Sequence, residues 1–328
     1  MKPVAETQII AIIGNGLMGQ GIAQVFARSG KTVKLIGRNP NSLERAMQTI
    51  STNFDAFVDR MHTTREEADA AIAGISTTTD YSDAADADFV IEAVPAVRET
   101  QIEVFGRLDE ICSPDVVLAS TSGQPISLMV ERMSHPERAI AAHFVYPAQL
   151  MPLVEVCCGE KTSPGVIDWT CQFLESVGQT TALMDKEVDG FIINRLQFAI
   201  IREAWSMWAN GIASAEAIDA SMRLTLGRRY SVTGPIESAE LGGLDIIHMF
   251  GEFLFPSLDN ITEPPEAVTA LVREGHFGLK TGKGIYDWSK RDGAALLAQR
   301  ADRLFEHITE DASHGNQPAE TIQDKGSS

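Results

Sequence analysis

Six residues near the N-terminus, Gly14-Asn15-Gly16-Leu17-Met18-Gly19, leave the chain few folds to choose from. They follow an apolar run, Gln8–Ile13, with isoleucine at positions 9, 10, 12 and 13. Continuous rather than alternating apolarity suits a parallel strand buried on both faces. Leu17–Ser29 then reads as a helix, stopped by Gly30, and Thr32–Ile36 as a second strand. Strand, glycine turn, helix and strand in this order form a βαβ unit, and the Gly-x-Gly-x-x-Gly spacing within it marks a dinucleotide site. Gly14 permits the tight turn, Gly16 lets backbone approach a pyrophosphate, and Gly19 lets helix pack on strand. The amides of Leu17 and Met18, opening the helix, offer free N–H groups and partial positive charge to phosphates. A glycine triplet alone would be weak, and a ligand-free turn is the alternative; the flanking strand and helix make the motif specific.

The alternation continues. Asn41–Arg60 and Thr64–Ala73 read as helices, Ile75–Thr79, Phe89–Val94 and Val116–Ser120 as strands, and Arg98–Cys112 as a helix. Ala139–His143 and Leu153–Cys157 are two further strands, and the pattern persists to residue 185. Beyond 186–190 the periodicity is helical: Phe191–Asn210, Ala215–Leu226, Pro235–Phe255, Glu266–Glu274 and the amphipathic Arg291–Ile308. The expected fold class is therefore α/β, a Rossmann-like doubly wound N-terminal domain with an all-helical C-terminal domain. We place a dinucleotide-binding domain at 1–187, a helical substrate and dimerisation domain at 188–310, and a polar, disordered tail at 311–328.

Composition excludes several partners. Lys and Arg total 27 against 45 Asp and Glu, a formal charge of −18, so the surface repels phosphate backbones and anionic membranes. Neither a nucleic-acid nor a membrane partner is expected; a small-molecule substrate and a second copy of the chain are, the latter because Phe191–Phe255 is apolar for a lone small domain. No apolar run reaches the roughly 18 residues of a membrane span, and Met1–Gln8 lacks a signal core. The 4 cysteines, Cys112, Cys157, Cys158 and Cys171, fit neither zinc spacing nor a disulfide framework, which points to reduced thiols, a cytoplasmic setting and no metal.

Chemistry concentrates at two places. At the end of the second strand, where an NAD site holds Asp or Glu for the ribose 2′-OH, the chain reads Ile36-Gly37-Arg38. A guanidinium can bind a 2′-phosphate, so Arg38 raises NADP as cofactor; a solvated Arg38 with NAD bound is the even alternative. Further on, His143 closes a strand and Glu155 sits in the apolar Pro152-Leu153-Val154-Glu155-Val156. A carboxylate there needs a partner. If the two strands are neighbours, Glu155 reaches His143 and fixes its tautomer, as a general base requires. A buried structural histidine is the blander reading of His143 taken alone.

The chain resembles the 3-hydroxyacyl-CoA dehydrogenase family in several ordered motifs between about residues 8 and 288. These are Gly14 to Ala23, Ala119-Ser120-Thr121-Ser122, His143-Phe144-x-x-Pro147 with Pro152 to Val156, and Gly190-Phe191-Ile192-Ile193-Asn194-Arg195-Leu196. Gly234-Pro235-Ile236-Glu237 with Gly242-Gly243-Leu244-Asp245, and Lys280-Thr281-Gly282-Lys283-Gly284-Ile285-Tyr286, continue the match. The resemblance implies hydride transfer between C3 of a 3-hydroxyacyl (CoA-type) substrate and NAD(P). It also implies His143 as general acid/base, Glu155 as its orienting partner, and Ser122 and Asn194 as ligands of the reacting oxygen. Lys280 lies near the cofactor by the same resemblance, which favours NAD, and Asn53 and Arg60 fall where CoA contacts lie. Bland alternatives are a turn hydroxyl for Ser122, a cap for Asn194 and a solvated charge for Lys280.

The departures gather on the cofactor side. Tyr146 and Ser120 stand where the family has asparagines, and Ala96 and Gln101 replace a glutamate and a lysine. The segment Asn41–Ala73 offers only Arg45, Arg60 and Arg65 to a CoA nucleotide. Two alternatives follow: a dehydrogenase of a free 3-hydroxy acid or other small hydroxy compound, and a non-catalytic, crystallin-like dinucleotide-binding protein.

Overall fold

The computed structural model describes residues 1–313, which fall into two compact units: Met1–Ile192 with the segment from Ala301 onward, and Ile193–Arg300. In the first unit, β1 (Ile9–Ile13), β2 (Thr32–Ile36), β3 (Ile75–Thr78), β4 (Phe89–Glu92), β5 (Val117–Ser120), β6 (Ala139–Phe144), β7 (Leu153–Cys158) and β8 (Thr180–Met184) make one sheet. Its order is β3-β2-β1-β4-β5-β6-β7-β8. Strands β1 to β6 run parallel, β7 is antiparallel to β6, and β8 is parallel to β7. The order reverses between β1 and β4, and in such sheets ligands bind in the crevice outside the strand ends at that point.

The apolar run of β1 is buried on both faces, as its continuity requires. Ile10 and Ile12 pack with Phe26, Phe89 and Phe173 on one side, and Ala11 and Ile13 with Val90, Phe105 and Leu118 on the other. Helices α1 (Leu17–Arg28), α2 (Pro40–Asp59), α3 (Arg65–Ala73), α4 (Arg98–Ile111) and α5 (Pro164–Ser176) connect the strands. Asn39 caps α2 by accepting from the Asn41 and Ser42 N–H groups, with Pro40 at the first helical position. Thr64 and Glu67 form a reciprocal capping box on α3. With α5 and β8 the strand–helix alternation through residue 185 is complete.

The second unit is helical. α6 (Phe191–Ala209) leads into it, followed by α7 (Ala215–Ser221), a π-helical turn (Met222–Leu226), α8 (Gly227–Arg229), α9 (Pro235–Leu241), α10 (Leu244–Leu254) and α11 (Glu266–Arg273). The single helix expected over Pro235–Phe255 is in fact two. The break falls at Gly242-Gly243, where Gly243 adopts φ +88°, a conformation open to glycine and costly for other residues. Likewise Ala215–Leu226 is not one regular helix but changes pitch at Met222.

α12 (Gly293–Ser313) closes the described chain, and its last turns belong to the first unit. There the Phe305 side chain is buried against Phe57, ring centroids 4.9 Å apart, and the Arg60 guanidinium lies over the Phe305 ring while bonding Asp302 at 2.6 Å. Helix extends three residues into the expected polar tail, because Arg303–Glu306 and His307–Glu310 pairs support the final turn. The remainder of that expected tail, 314–328, lies outside the described residues. Among the described residues no helix is long and apolar enough to cross a membrane.

Candidate active site

The glycine turn sits at the carboxyl end of β1. Gly14 has φ +115°, and a Cβ there would lie 2.5 Å from the Ala93 carbonyl oxygen. A Cβ on Gly19 would meet the Gly14 carbonyl oxygen at 1.8 Å, so this residue must be glycine for α1 to start where it does. Gly16 differs: nothing lies within 4 Å of its would-be Cβ, so the backbone there faces open space. Gly16 is the N-cap of α1, and Leu17, Met18 and Gly19 begin the helix with N–H groups that no earlier turn can satisfy. Bare backbone, free amides and a helix dipole fit the pyrophosphate of a dinucleotide.

Beside the turn lies a cavity of about 620 Å³ lined by Asn15, Arg38, Asn39, Ser42, Arg45 and Thr49, among others. A Cβ on Gly37 would meet Asn15 Oδ1 at 2.8 Å and Leu43 Cδ2 at 2.9 Å, side-chain ends that would have to shift to admit it. Asn15 is itself held, donating from Nδ2 to Ser42 Oγ at 3.0 Å. The cavity thus carries two exposed guanidiniums and no carboxylate among the residues lining it. Sequence reasoning missed Ser42 and Thr49 and weighed Arg45 only for a CoA nucleotide, although their spacing places all three on the face of α2 that begins at the Asn39 cap.

His143 and Glu155 are direct partners across the antiparallel β6–β7 pair. His143 Nδ1 lies 2.7 Å from Glu155 Oε2, with the histidine 8% and the glutamate 1% exposed. Glu155 Oε1 also accepts the Ile192 N–H at 2.9 Å. The Phe191 ring packs edge-on against the imidazole at 5.6 Å. Phe191 holds that place at φ +48°, a strained conformation of order 1–3 kcal/mol that the surrounding contacts must offset. Nδ1 being engaged, the ring's chemistry is left to Nε2. Cys157, two residues along β7, is no competing nucleophile: burial pushes its thiol up to about 12.

Ser122 follows β5. Its N–H donates to Ser120 Oγ at 3.1 Å, while its own hydroxyl is buried with no hydrogen-bond partner among the described residues. Ser120 in turn donates to Glu92 Oε2 at 2.6 Å. Glu92, which sequence reasoning missed, is 1% exposed, and burial pushes its carboxyl above the ordinary value despite bonds from Ser120, Gln101 and the Val94 N–H.

The remaining candidates are dispersed. Asn194 lies half-buried in the first turn of α6, and Lys280 is exposed in the turn Leu279–Thr281; both belong to the second unit. Asn53 is half-buried on α2. Arg60, at the end of α2, is already engaged: Asp302 accepts from its Nε at 3.2 Å and its Nη2 at 2.6 Å. Its side chain nevertheless stays 34% exposed.

Comparison with known proteins gives a consistent picture. Residues 9–188 match the profile of the 3-hydroxyacyl-CoA dehydrogenase NAD binding domain, and residues 190–288 that of the 3-hydroxyacyl-CoA dehydrogenase C-terminal domain. The chain is similar to 5-formyl-3-hydroxy-2-methylpyridine 4-carboxylate 5-dehydrogenase of Mesorhizobium japonicum, 32% identical over 90% of this chain and 95% of that one. It is also similar to 3-hydroxybutyryl-CoA dehydrogenase of Clostridioides difficile, 31% identical over 86% and 99% of the two chains. A crystal structure of the pyridine carboxylic acid dehydrogenase, described as an NAD+ dependent dismutase, superposes with a TM-score of 0.85 at 29% identity, covering 94% of this chain and 99% of that one.

Proposed function

From the premise that the chain belongs to the 3-hydroxyacyl-CoA dehydrogenase family, with its NAD-binding domain, we propose that it oxidises the C3 hydroxyl of a 3-hydroxyacyl substrate with NAD or NADP. The buried His143–Glu155 pair at 2.7 Å carries this reading. Glu155 accepts the Nδ1 proton, so the Nε2 lone pair is the basic one and takes the substrate's hydroxyl proton. The carboxylate then offsets the charge that imidazole gains. Ser122 Oγ, buried with no hydrogen-bond partner among the described residues, donates to the reacting oxygen. Family resemblance alone assigns Asn194 as a second polar ligand. A bound nicotinamide ring supplies the hydride acceptor. The glycine turn and the amides of Leu17 and Met18 hold its pyrophosphate, and Lys280 is assigned to the cofactor by family resemblance alone.

One observation favours a second reading of the substrate. With Arg60 paired to Asp302 and lying over Phe305, the CoA-type contact assigned to Asn53 and Arg60 has its charge partly offset, which suits a free 3-hydroxy acid or a small hydroxy compound. The proposal extends to a homodimer formed through the helical unit and to a cytoplasmic setting for the four free thiols.

A panel of 3-hydroxybutyryl-CoA, free 3-hydroxybutyrate and a hydroxymethylpyridine carboxylate, each with NAD and NADP, tests the activity. His143→Ala lowers kcat by a factor of at least about 100 on the best substrate. Near-normal turnover by that variant removes His143 from its role. NADH binding without turnover of any hydroxy substrate supports the crystallin-like alternative.

A further inference from the structure

One buried carboxylate joins the two loops from which this site is built, and no step above uses it. Glu92 ends β4 at 1% exposure. Its Oε1 accepts the Val94 N–H at 2.7 Å. Its Oε2 accepts the Ser120 hydroxyl at 2.6 Å and the Gln101 Nε2 at 3.1 Å. All three donors are neutral. A carboxylate buried on neutral donors alone costs folding energy that an apolar residue in the same central strand would not.

Two of these bonds lead to a loop of the site. Val94 follows Ala93, whose carbonyl oxygen lies 2.5 Å from where a Cβ on Gly14 would stand, so this backbone is packed directly on the glycine turn. Ser120, having spent its single proton on Glu92, can only accept from the Ser122 N–H, at 3.1 Å. That places Ser122, whose buried Oγ has no hydrogen-bond partner among the described residues. Bonds arranged in a chain polarise one another, so the carboxylate's influence reaches Ser122 through the intervening hydroxyl.

We propose that Glu92 is a positioning residue that sets the cofactor side of the site through Val94 and the substrate side through Ser120 and Ser122. The inference rests on the reading of the site given above, and it assigns to Glu92 no contact with a reacting atom.

The test compares the wild-type chain with Glu92→Gln, Ser120→Ala and the double variant. NADH affinity is read from nicotinamide fluorescence, kcat and KM from the best substrate of the panel, and Tm from thermal unfolding. Glu92→Gln keeps the volume but replaces an acceptor with a donor facing Ser120. It weakens NADH binding and lowers kcat/KM by about tenfold each, the usual cost of a bond to a charged group. Ser120→Ala lowers kcat/KM by about tenfold and leaves NADH affinity within about twofold, because the Val94 bond survives. The double variant loses no more in kcat/KM than Glu92→Gln alone, since both act through one chain of bonds. Should Glu92→Gln fail to fold, Ser120→Ala still decides the substrate arm. A fall in Tm with NADH affinity, kcat and KM all unchanged makes Glu92 structural only and overturns the proposal. Wild-type protein that binds NADH but turns over nothing sinks the catalytic reading instead, and the NADH arm still decides Glu92.

Discussion

Gly37 shows how one missing side chain shapes a binding site. A carboxylate after β2 is not merely absent; its Cβ would require the side-chain ends of Asn15 and Leu43 to shift. What remains beside the turn is a cavity with Arg38 and Arg45 on its walls. Arg38→Ala is expected to weaken NADP binding by about tenfold or more and NAD binding by less than about threefold, since a guanidinium–phosphate pair is the stronger class of hydrogen bond. Equal losses for both cofactors in a fluorescence titration argue against a 2′-phosphate role. At this scale the sequence was informative wherever a residue's partner was local or its type unusual for its setting. Glu155 stood out as an acid in an apolar strand, and its register partner is His143. Glu92 did not stand out, because its partners come from α4 and β5 and only the folded sheet brings them together.

Elements tie to one another through a few buried bonds, and Arg138 with Asp109 is the clearest case. Asp109 on α4 pairs with Arg138 just before β6 at 2.7 Å, and the two side chains are 3% and 4% exposed. Burial alone would raise the Asp109 carboxyl. The Arg138 bonds and the Ser134 N–H outweigh it and hold the group below its ordinary 3.8. A depressed carboxylate stabilises the fold above its unfolded pKa, and that contribution is lost as pH falls through the folded one. Asp109→Asn should therefore cost about 3–5 kcal/mol near neutral pH, where it strands a buried guanidinium, and much less near pH 3. Urea unfolding at the two pH values checks this; a gap that stays constant contradicts it. Element positions were mostly legible from periodicity, and β1, β2 and α2 start or end within a residue or so of the expected bounds. The exception is α9–α10, where apolar spacing ran on through Gly242-Gly243 and the glycine pair, a plain stop signal, went unweighted.

The whole molecule carries a conflict between charge and apolar surface. Each chain bears −18, yet α6 and α10 expose Phe198, Ile246, Met249, Phe250 and Phe253, with Phe253 at 59%. Large apolar side chains exposed in this number point to an association surface. Light scattering is expected to give twice the 35.6 kDa chain mass at micromolar concentration. Added salt should tighten the association by screening like charges. A monomer across that range rules the dimer out. The change from alternating to purely helical texture near residues 186–190 made the two-part organisation legible in the sequence, but the return of α12 was not: Arg60 and Asp302 are separated by 242 positions, and no local pattern links them. That return has a consequence for synthesis. Phe57 is almost fully enclosed, and the Phe305 ring against it is made only after the whole helical unit, Ile193–Arg300. The α/β body, although encoded first, cannot close over Phe57 until the ribosome has translated the helical unit that intervenes. Its completion thus waits on the helical unit, and any message that stops before Phe305 leaves that aromatic uncovered for quality-control factors to find.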